Sequence, residues 1–294
     1  MPHCETTIPA HSLKARGRLI HLDRRPLIMG VLNVTPDSFS DGGRYLAVEP
    51  AVARALEMVA EGADLVDIGA ESTRPGANPI DEREELTRLL PVVEAVCRRV
   101  SVPVSVDTMK AGVAQRALEL GASIINDVSA LRFDARMGTV VAESGAGVVL
   151  MHMQGTPQTM QVAPAYDDVV GEVRDFFQSR LEAAAECGIG RDQIILDPGI
   201  GFGKRREDNL TLLAQLEALT SLERPLLVGT SRKGFIGEVL NRPVGERLMG
   251  TAATCAVAIL HGARLVRVHD VAPIRDLVLM LEAIMQRKKQ EPGA

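Results

Sequence analysis

The chain lacks the marks of several large protein classes. Its four cysteines among 294 residues (Cys4, Cys97, Cys187 and Cys255) stand far apart, with no CxxC pair and no metal-ligand spacing. That argues against a disulfide framework and for reduced thiols in a cytoplasmic protein, with Cys97, Cys187 and Cys255 packed on helices. No stretch offers the run of about 18 apolar residues that a membrane span needs. The start, Met1-Pro2-His3-Cys4-Glu5-Thr6-Thr7, lacks the charged-then-apolar order of a secretion signal, so neither secretion nor membrane insertion is indicated. Positive charge is also scarce: the formal net charge is -5, with no basic run beyond Arg287-Lys288-Lys289. No nucleic-acid partner is expected, although a local anion site is compatible with that balance. There is no HExxH, and Gly199-x-Gly201-x-Gly203 has the wrong spacing for a dinucleotide fingerprint. Those absences argue against tightly held zinc and against a nicotinamide cofactor.

What the chain has instead is a repeating rhythm. With 46 % hydrophobic residues it can fill a large core, and one α/β barrel of about 250 residues fits its length, so a single domain over 1–294 is expected. Short apolar runs recur at 27–33, 64–69, 103–107, 123–127, 147–152, 194–197, 226–229 and 265–270. Runs of that kind are strands buried on both faces, as in a parallel sheet flanked by helices. Helical patterns separate them at 50–60, 81–100, 110–121, 135–143, 168–187 (the longest), 245–261 and from Pro273 onward. Eight strand-helix units without an internal hairpin signal argue for a (β/α)8 TIM barrel over 27–287 rather than a doubly wound open sheet. Before Pro26, Gly17 between two short mixed runs suggests a hairpin closing the bottom of that barrel.

The run 194–204 carries the functional reading: an apolar strand ends on Asp197 and breaks at once into a glycine-rich loop. An isolated Asp-Pro-Gly more often only ties down a turn. Here the arrangement recurs, because a barrel brings every strand's C-terminal end to one face. At those ends stand Asn33, Asp67, Asp107, Asn126, Asp127, His152, Asp197, Lys233, Arg267 and His269. Any one alone is more often structural; together on one rim they describe a ligand pocket. Asp107, Asn126 and Asp197 offer acceptors suited to a planar heterocycle with a guanidine-like edge. Lys233, Arg267 and His269 offer donors and positive charge suited to a phosphorylated group. Asn33, Asp37 and Asp41 are oxygen donors near that second pole, where Mg²⁺ could bridge a diphosphate and keep most of its waters. Asp37, beside Pro36, is equally a plain turn residue.

Taken together, the stretches 33–43, 71–76, 106–108, 125–127, 151–155, 196–202, 231–233 and 267–270 resemble the dihydropteroate synthase family, folate-pathway enzymes that sulfonamides inhibit. The resemblance runs over 27–271 and touches every rim segment in order; Ala70 and Ile200 stand where the family often has Gly and Phe. It implies that Asp107, Asn126, Asp197 and Lys233 hold a pterin ring, with Met151 and Phe202 among its surroundings. Asn33, Arg267 and His269 would bind diphosphate, and Asn33 would also meet Mg²⁺. Thr73, Arg74, Pro75, Phe39 and Ser231 would form the p-aminobenzoate pocket, with the loops 34–43 and 72–76 closing over it. Asp41 would steady a cationic pterin intermediate, so Asp41, Lys233 and Arg267 are the implied catalytic residues. The implied reaction condenses 6-hydroxymethyl-7,8-dihydropterin diphosphate with p-aminobenzoate. An arylamine is already nucleophilic, so neither His152 nor His269 is given a base role. A homodimer joined through barrel helices is also implied, with the apolar stretch 249–260 serving as interface or as ordinary core. Two rivals differ in what they need. A pterin-binding methyltransferase would share Asp107, Asn126 and Asp197 but not require 35–39 or 231–233; a catalytically silent paralogue would not require intact Asn33, Lys233, Arg267 and His269.

Overall fold

A strand buried on both faces needs helices outside it and something to fill its inside, and the chain supplies both. The computed structural model describes residues 12–34, 48–71 and 79–290. An N-terminal pair, β1 (Ser12–Ala15) and β2 (Arg18–His21), is followed by β3 (Leu27–Asn33), α1 (Val48–Ala60), β4 (Leu65–Gly69), α2 (Glu82–Arg99), β5 (Val104–Asp107) and α3 (Ala111–Glu119). Next come β6 (Ile124–Asp127), α4 (Met137–Ser144), β7 (Gly147–Met151), α5 (Val169–Glu186), β8 (Ile194–Asp197) and α6 (Arg206–Ala214). The chain ends with β9 (Leu226–Val228), α7 (Gly234–Leu240), α8 (Leu248–Leu260), β10 (Ala263–Val268) and α9 (Val271–Gln290). The eight strands β3 to β10 are all parallel and close on themselves in the order β10-β3-β4-β5-β6-β7-β8-β9. This is the (β/α)8 TIM barrel that the rhythm of the sequence implies.

The expected hairpin is there too. β1 and β2 pair antiparallel across a two-residue turn, Arg16 (φ 49) and Gly17 (φ 76), whose left-handed backbone matches the twist of the strands it joins. Leu13, Ala15 and Leu22 pack into one buried cluster with Met29, Leu65, Ile124, Val149, Ile195, Leu227 and Leu265. Those barrel residues come early in their strands, so the hairpin plugs the N-terminal mouth. Each fully buried large aliphatic side chain there contributes roughly 1.5–3 kcal/mol.

The period of two along a strand sorts the remaining side chains. Ile28, Val66, Ile125, Val148 and Leu196 join the large core between sheet and helices. Their neighbours Met29, Leu65, Ile124, Val149 and Ile195 face the barrel interior. Two residues further along the inward column, apolar gives way to polar: Leu65 to Asp67, Ile124 to Asn126, Ile195 to Asp197, Leu265 to Arg267. The barrel is therefore dry at one end and charged at the other.

Helix ends follow the caps. Asp81 accepts from the Glu84 N–H at 2.7 Å and Asp168 from the Gly171 N–H at 3.0 Å, which starts α2 and α5 where their acids indicate. The structure differs from expectation between Lys204 and Leu226, where α6 and the 3₁₀ run Leu216–Leu222 stand. The apolar residues of α6 form no one-sided stripe, so its period is hidden. The helix expected at 245–261 starts only at Leu248, after α7 and a 3₁₀ turn at Val244–Glu246. Glycines at 234 and 237 mask α7; a Cβ at Gly237 would meet the Arg247 guanidinium. The last helix begins at Val271, before Pro273, because a proline in the first turn forfeits no helical hydrogen bond. At 20 residues it, and not the 18-residue α5, is the longest described helix. Cys255 is buried and Cys97 half-buried, but Cys187, at the C-cap of α5, is exposed, against the expectation that all three pack inside. Among the described residues no helix is long and apolar enough to cross a membrane.

Candidate active site

The inward polar residues meet just above the apolar plug. Arg267 on β10 donates Nε to Asp67 Oδ2 at 2.7 Å and Nη2 to Asp107 Oδ2 at 3.0 Å. Asn126 on β6 donates Nδ2 to the same Asp67 oxygen at 3.0 Å. The tips of β4, β5, β6 and β10 are thereby tied into one network, and residues up to 200 positions apart become neighbours. Burial pushes Asp107 above the usual carboxylate range; Arg267 opposes the rise and the charge of Asp67 adds to it. Burial alone would lower Arg267, but the charges of Asp67 and Asp107 outweigh it and raise this guanidinium further. Arg267 thus stays a cation wherever the protein is folded.

Asp197, at the tip of β8, accepts the Gly199 N–H at 2.8 Å. The turn-anchoring role of Asp-Pro-Gly and a place on the pocket rim therefore belong to the same side chain. Its carboxyl is raised by burial, against the pull of Lys233 and the Gly199 N–H. Lys233 caps the start of α7, donates Nζ to the Ile200 carbonyl and lies over the Phe202 ring, 4.5 Å from its centre. Burial lowers Lys233 to about 8, while Asp197 works the other way. The loop between them takes a path open to glycine alone at two points. Gly199 (φ 64) and Gly203 (φ 58) are left-handed, and a Cβ at either would collide with the carbonyls of His152 and Gln154 respectively. Beside this loop Val128, Met151, Met153 and Met160 form a separate buried cluster, with Met109 and Phe202 packed on it. Methionines of that kind make an adaptable apolar wall for a flat ring.

The second pole is built from β3, β9 and β10. Asn33 ends β3, in register with Gly69. Ser231 Oγ lies 2.9 Å from His269 Nδ1 and accepts the His269 N–H at 3.2 Å. Arg232 is held aside by Asp270 at 3.0 and 2.5 Å. Among the described residues no group of three or more His, Cys, Asp or Glu is placed to hold a metal ion. A single neutral amide oxygen at Asn33 suits Mg²⁺, which keeps waters and takes further oxygens from a bound phosphate, and does not suit zinc.

Two rim residues are turned away from the pocket, and strand parity is the reason. Asp127 follows inward Asn126 and faces out; it accepts from Ser129 N–H (2.8 Å), Ser129 Oγ (2.6 Å) and Leu131 N–H (2.7 Å), anchoring the β6–α4 turn. His152 follows inward Met151. Its ring stands edge-on to Phe176, centres 4.8 Å apart, and its Nδ1 is 2.9 Å from Lys204 Nζ. Burial first, then the Lys204 charge, lower His152 to about 2, so this ring is neutral. Asp67, on the rim but given no role from sequence, proves to be the hub of the network, a position legible in the alternation Leu65-Val66-Asp67. Lys204, which closes the run 194–204, was given no role of its own from sequence. Asp37, Phe39, Asp41, Thr73, Arg74 and Pro75 lie outside the described residues.

Known proteins match this chain over nearly its whole length. The family described as pterin binding enzyme matches residues 29–269. A dihydropteroate synthase from Synechocystis is 47% identical over 262 residues, covering 89% of this chain and 91% of its own. Among solved structures, the Yersinia pestis dihydropteroate synthase with a sulfonamide drug superposes with a TM-score of 0.88 at 45% identity, covering 94% of this chain and 99% of that one. The Xanthomonas albilineans dihydropteroate synthase in complex with 7,8-dihydropteroate gives 0.84 at 44% identity, covering 96% and 100%. With the closed barrel, its ordered rim residues and this agreement over both chains' lengths, the chain belongs to the dihydropteroate synthases of the pterin-binding family.

Proposed function

We propose that this chain condenses 6-hydroxymethyl-7,8-dihydropterin diphosphate with p-aminobenzoate, releasing diphosphate and 7,8-dihydropteroate in folate synthesis. The observation that carries the reading is the shared network of Asp67, Asp107, Asn126 and Arg267, with Asp197 at the tip of β8 and Lys233 at the start of α7. It sets acceptors for a guanidine-like ring edge beside a permanent cation for an anionic leaving group. The C–O bond between the pterin methylene and diphosphate breaks, and its electron pair leaves with the phosphate. The arylamine nitrogen then forms the new C–N bond and sheds its proton to solvent. Such a reaction needs separated charges stabilised more than it needs a strong base, and fixed groups in a dry site supply that. Asp107, Asn126, Asp197 and Lys233 hold the ring, with Met151 and Phe202 as its apolar surroundings. Arg267, His269 and Asn33 receive the diphosphate. Ser231, with Phe39, Thr73, Arg74 and Pro75, receives p-aminobenzoate, and Asp41 steadies the charge left on the pterin methylene. Mg²⁺, bound through Asn33 and the substrate's own oxygens, would neutralise charge developing on the leaving group.

The same reading makes the protein cytoplasmic and a homodimer. The dimer is supported by the face of the packed helices α8 and α9, where Met249 (77%), Leu260 (59%), Met280 (63%) and Ile284 (56%) are exposed. A second copy of the chain would cover these apolar side chains. A time course of diphosphate release from both substrates tests the reaction. Release matched mole for mole by 7,8-dihydropteroate is expected; no release with both substrates present removes the proposal.

A further inference from the structure

Lys204 is a buried amine that forms no ion pair among the described residues; burial lowers it to about 7, while Asp197 works the other way. Lys204 is 3% exposed. Its Nζ lies 2.9 Å from His152 Nδ1 and donates to the carbonyls of Gly199 at 3.0 Å and Phe202 at 3.1 Å, with His152's own carbonyl at 3.4 Å. Lys204 therefore bridges from the end of β7 to the glycine loop that follows β8. That loop has no ladder to satisfy its backbone, yet side chains meet each carbonyl from 199 to 203. Lys204 takes those of Gly199 and Phe202, Lys233 that of Ile200, Gln161 that of Gly201 at 3.1 Å and the Tyr166 hydroxyl that of Gly203 at 2.6 Å. Buried carbonyls must find such donors somewhere.

The two lysines are not equivalent. Lys233 reaches the loop from the pocket side, over Phe202, so a substrate that engages Lys233 competes with the Ile200 carbonyl. Lys204 reaches it from behind, where no substrate goes. A methionine of similar length would fill the same space without burying a charge, so packing alone does not call for an ammonium here. We propose that Lys204 is a positioning residue for the pterin site, fastening the 199–203 loop to the end of β7 so that Asp197 and Phe202 keep their places when Lys233 turns to substrate. The inference rests on the pterin reading given above.

Its charge has a second effect that a mere space-filler would lack. Asp197 is raised by burial and pulled back by Lys233, the Gly199 N–H, Arg267 and Lys204. The charged groups facing Lys204 are Asp197, Lys233 and Asp208, with neutral His152 against its Nζ, Arg132 beyond that ring, and Tyr166 and Arg205 on the outer side. Below about pH 7, where Lys204 carries its proton, removing that charge moves the protonation of Asp197 to higher pH.

The test uses the full chain with Lys204→Met, and Lys204→Gln, which keeps two N–H donors without charge. In the unliganded proteins, amide hydrogen exchange at 199–203 is expected to quicken about tenfold or more in Lys204→Met and less in Lys204→Gln. In turnover, KM for the pterin diphosphate rises about tenfold or more while KM for p-aminobenzoate stays put, and the acid limb of pterin binding moves up in pH. A purely structural role would lower the active fraction and shift neither one KM nor the pH limb. If Lys204→Met does not fold, Lys204→Gln is judged on the same readouts. Wild-type exchange rates, KM and pH limb in a folded variant overturn the proposal. A wild type that releases no diphosphate removes the pterin reading instead, and the exchange measurement alone then decides whether Lys204 fastens the loop.

Discussion

Asp67 offers a substitution whose outcome can be worked out atom by atom. Both of its hydrogen bonds, from Arg267 Nε at 2.7 Å and Asn126 Nδ2 at 3.0 Å, fall on Oδ2. Its other oxygen, Oδ1, is buried and has no partner among the described residues. In Asp67→Asn the amide oxygen can therefore keep both hydrogen bonds, with the NH₂ in the Oδ1 position, and only the charge is lost. A charge-assisted hydrogen bond contributes about 1.5–3 kcal/mol against roughly 0.5–1.5 for a neutral one, so the expected loss is about 1–2 kcal/mol. Asp67→Ala removes the oxygen as well and leaves a buried guanidinium half-answered, a change that typically costs about 2–5 kcal/mol. As affinity for the pterin diphosphate, these losses are about 5- to 30-fold and about 30- to several-thousand-fold. Calorimetry of the two variants beside wild type, with urea unfolding as a stability control, reads both. The sign of a third effect is fixed as well. Asp67 helps raise Asp107, so Asp67→Asn lets Asp107 ionise at lower pH and extends pterin binding toward acid. Equal losses in Asn and Ala, or none in either, would refute the claim that Asp67 holds Arg267 by charge through one oxygen.

Other expectations follow from the same geometry. Asp197→Ala should abolish pterin binding by calorimetry, whereas Arg74→Ala should mainly raise KM for p-aminobenzoate; the reverse pattern would exchange their assigned places. His152 is held neutral far below its ordinary range, so the unfolded chain binds a proton there that the native chain does not from pH 6.5 down to about 2. Stability contributed by this site is whole above pH 6.5 and falls as pH drops, by about 1.4 kcal/mol per unit; urea midpoints at pH 7 and 5 should converge in His152→Gln relative to wild type. Met280→Glu with Ile284→Glu should turn a dimer into a monomer in sedimentation, and an unchanged mass would clear that face of any role in assembly. Inorganic diphosphate should bind more tightly once a free pterin occupies Asp107 and releases Arg267 Nη2; identical titrations with and without the pterin would show that the two contacts are independent.

The fold was almost fully legible in the sequence because a barrel strand is short, apolar and bounded by turns. Leu65 to Gly69 and Ile194 to Asp197 are too short for buried helices and are bounded by Gly and Pro, and the count of such runs sets the closure. What escaped was where the signal is weak in physical terms. The helix α6 has no apolar stripe, and α7 is interrupted by Gly237, placed there to admit the Arg247 guanidinium. The site was legible as a set of rim residues but not as an orientation. Asn126 and Asp127, or Met151 and His152, are adjacent in sequence and face opposite ways, and only the interior column rising from Ile124 and Val149 tells which is which. Lys204 was invisible for a different reason: apart from the His152 ring its partners are backbone carbonyls, which leave no trace in side-chain spacing.

The site's cations are already spoken for before any substrate arrives, and that shapes what binding can gain. Arg267 spends its Nε on Asp67 and its Nη2 on Asp107, and Lys233 spends its ammonium on the Ile200 carbonyl. On the proposed assignment, a diphosphate that took Arg267 from Asp107 would leave a buried carboxylate in want of a donor, which the pterin's guanidine-like edge would supply. Each half of the substrate would thus fill the vacancy the other creates, and neither half alone would recover the full interaction. Asp67 makes this exchange possible, since it holds Arg267 by Nε while the far end of the guanidinium changes partners. Folding therefore already places the charges around Arg267 and Lys233, each of which holds one hydrogen bond that a substrate engaging it would exchange.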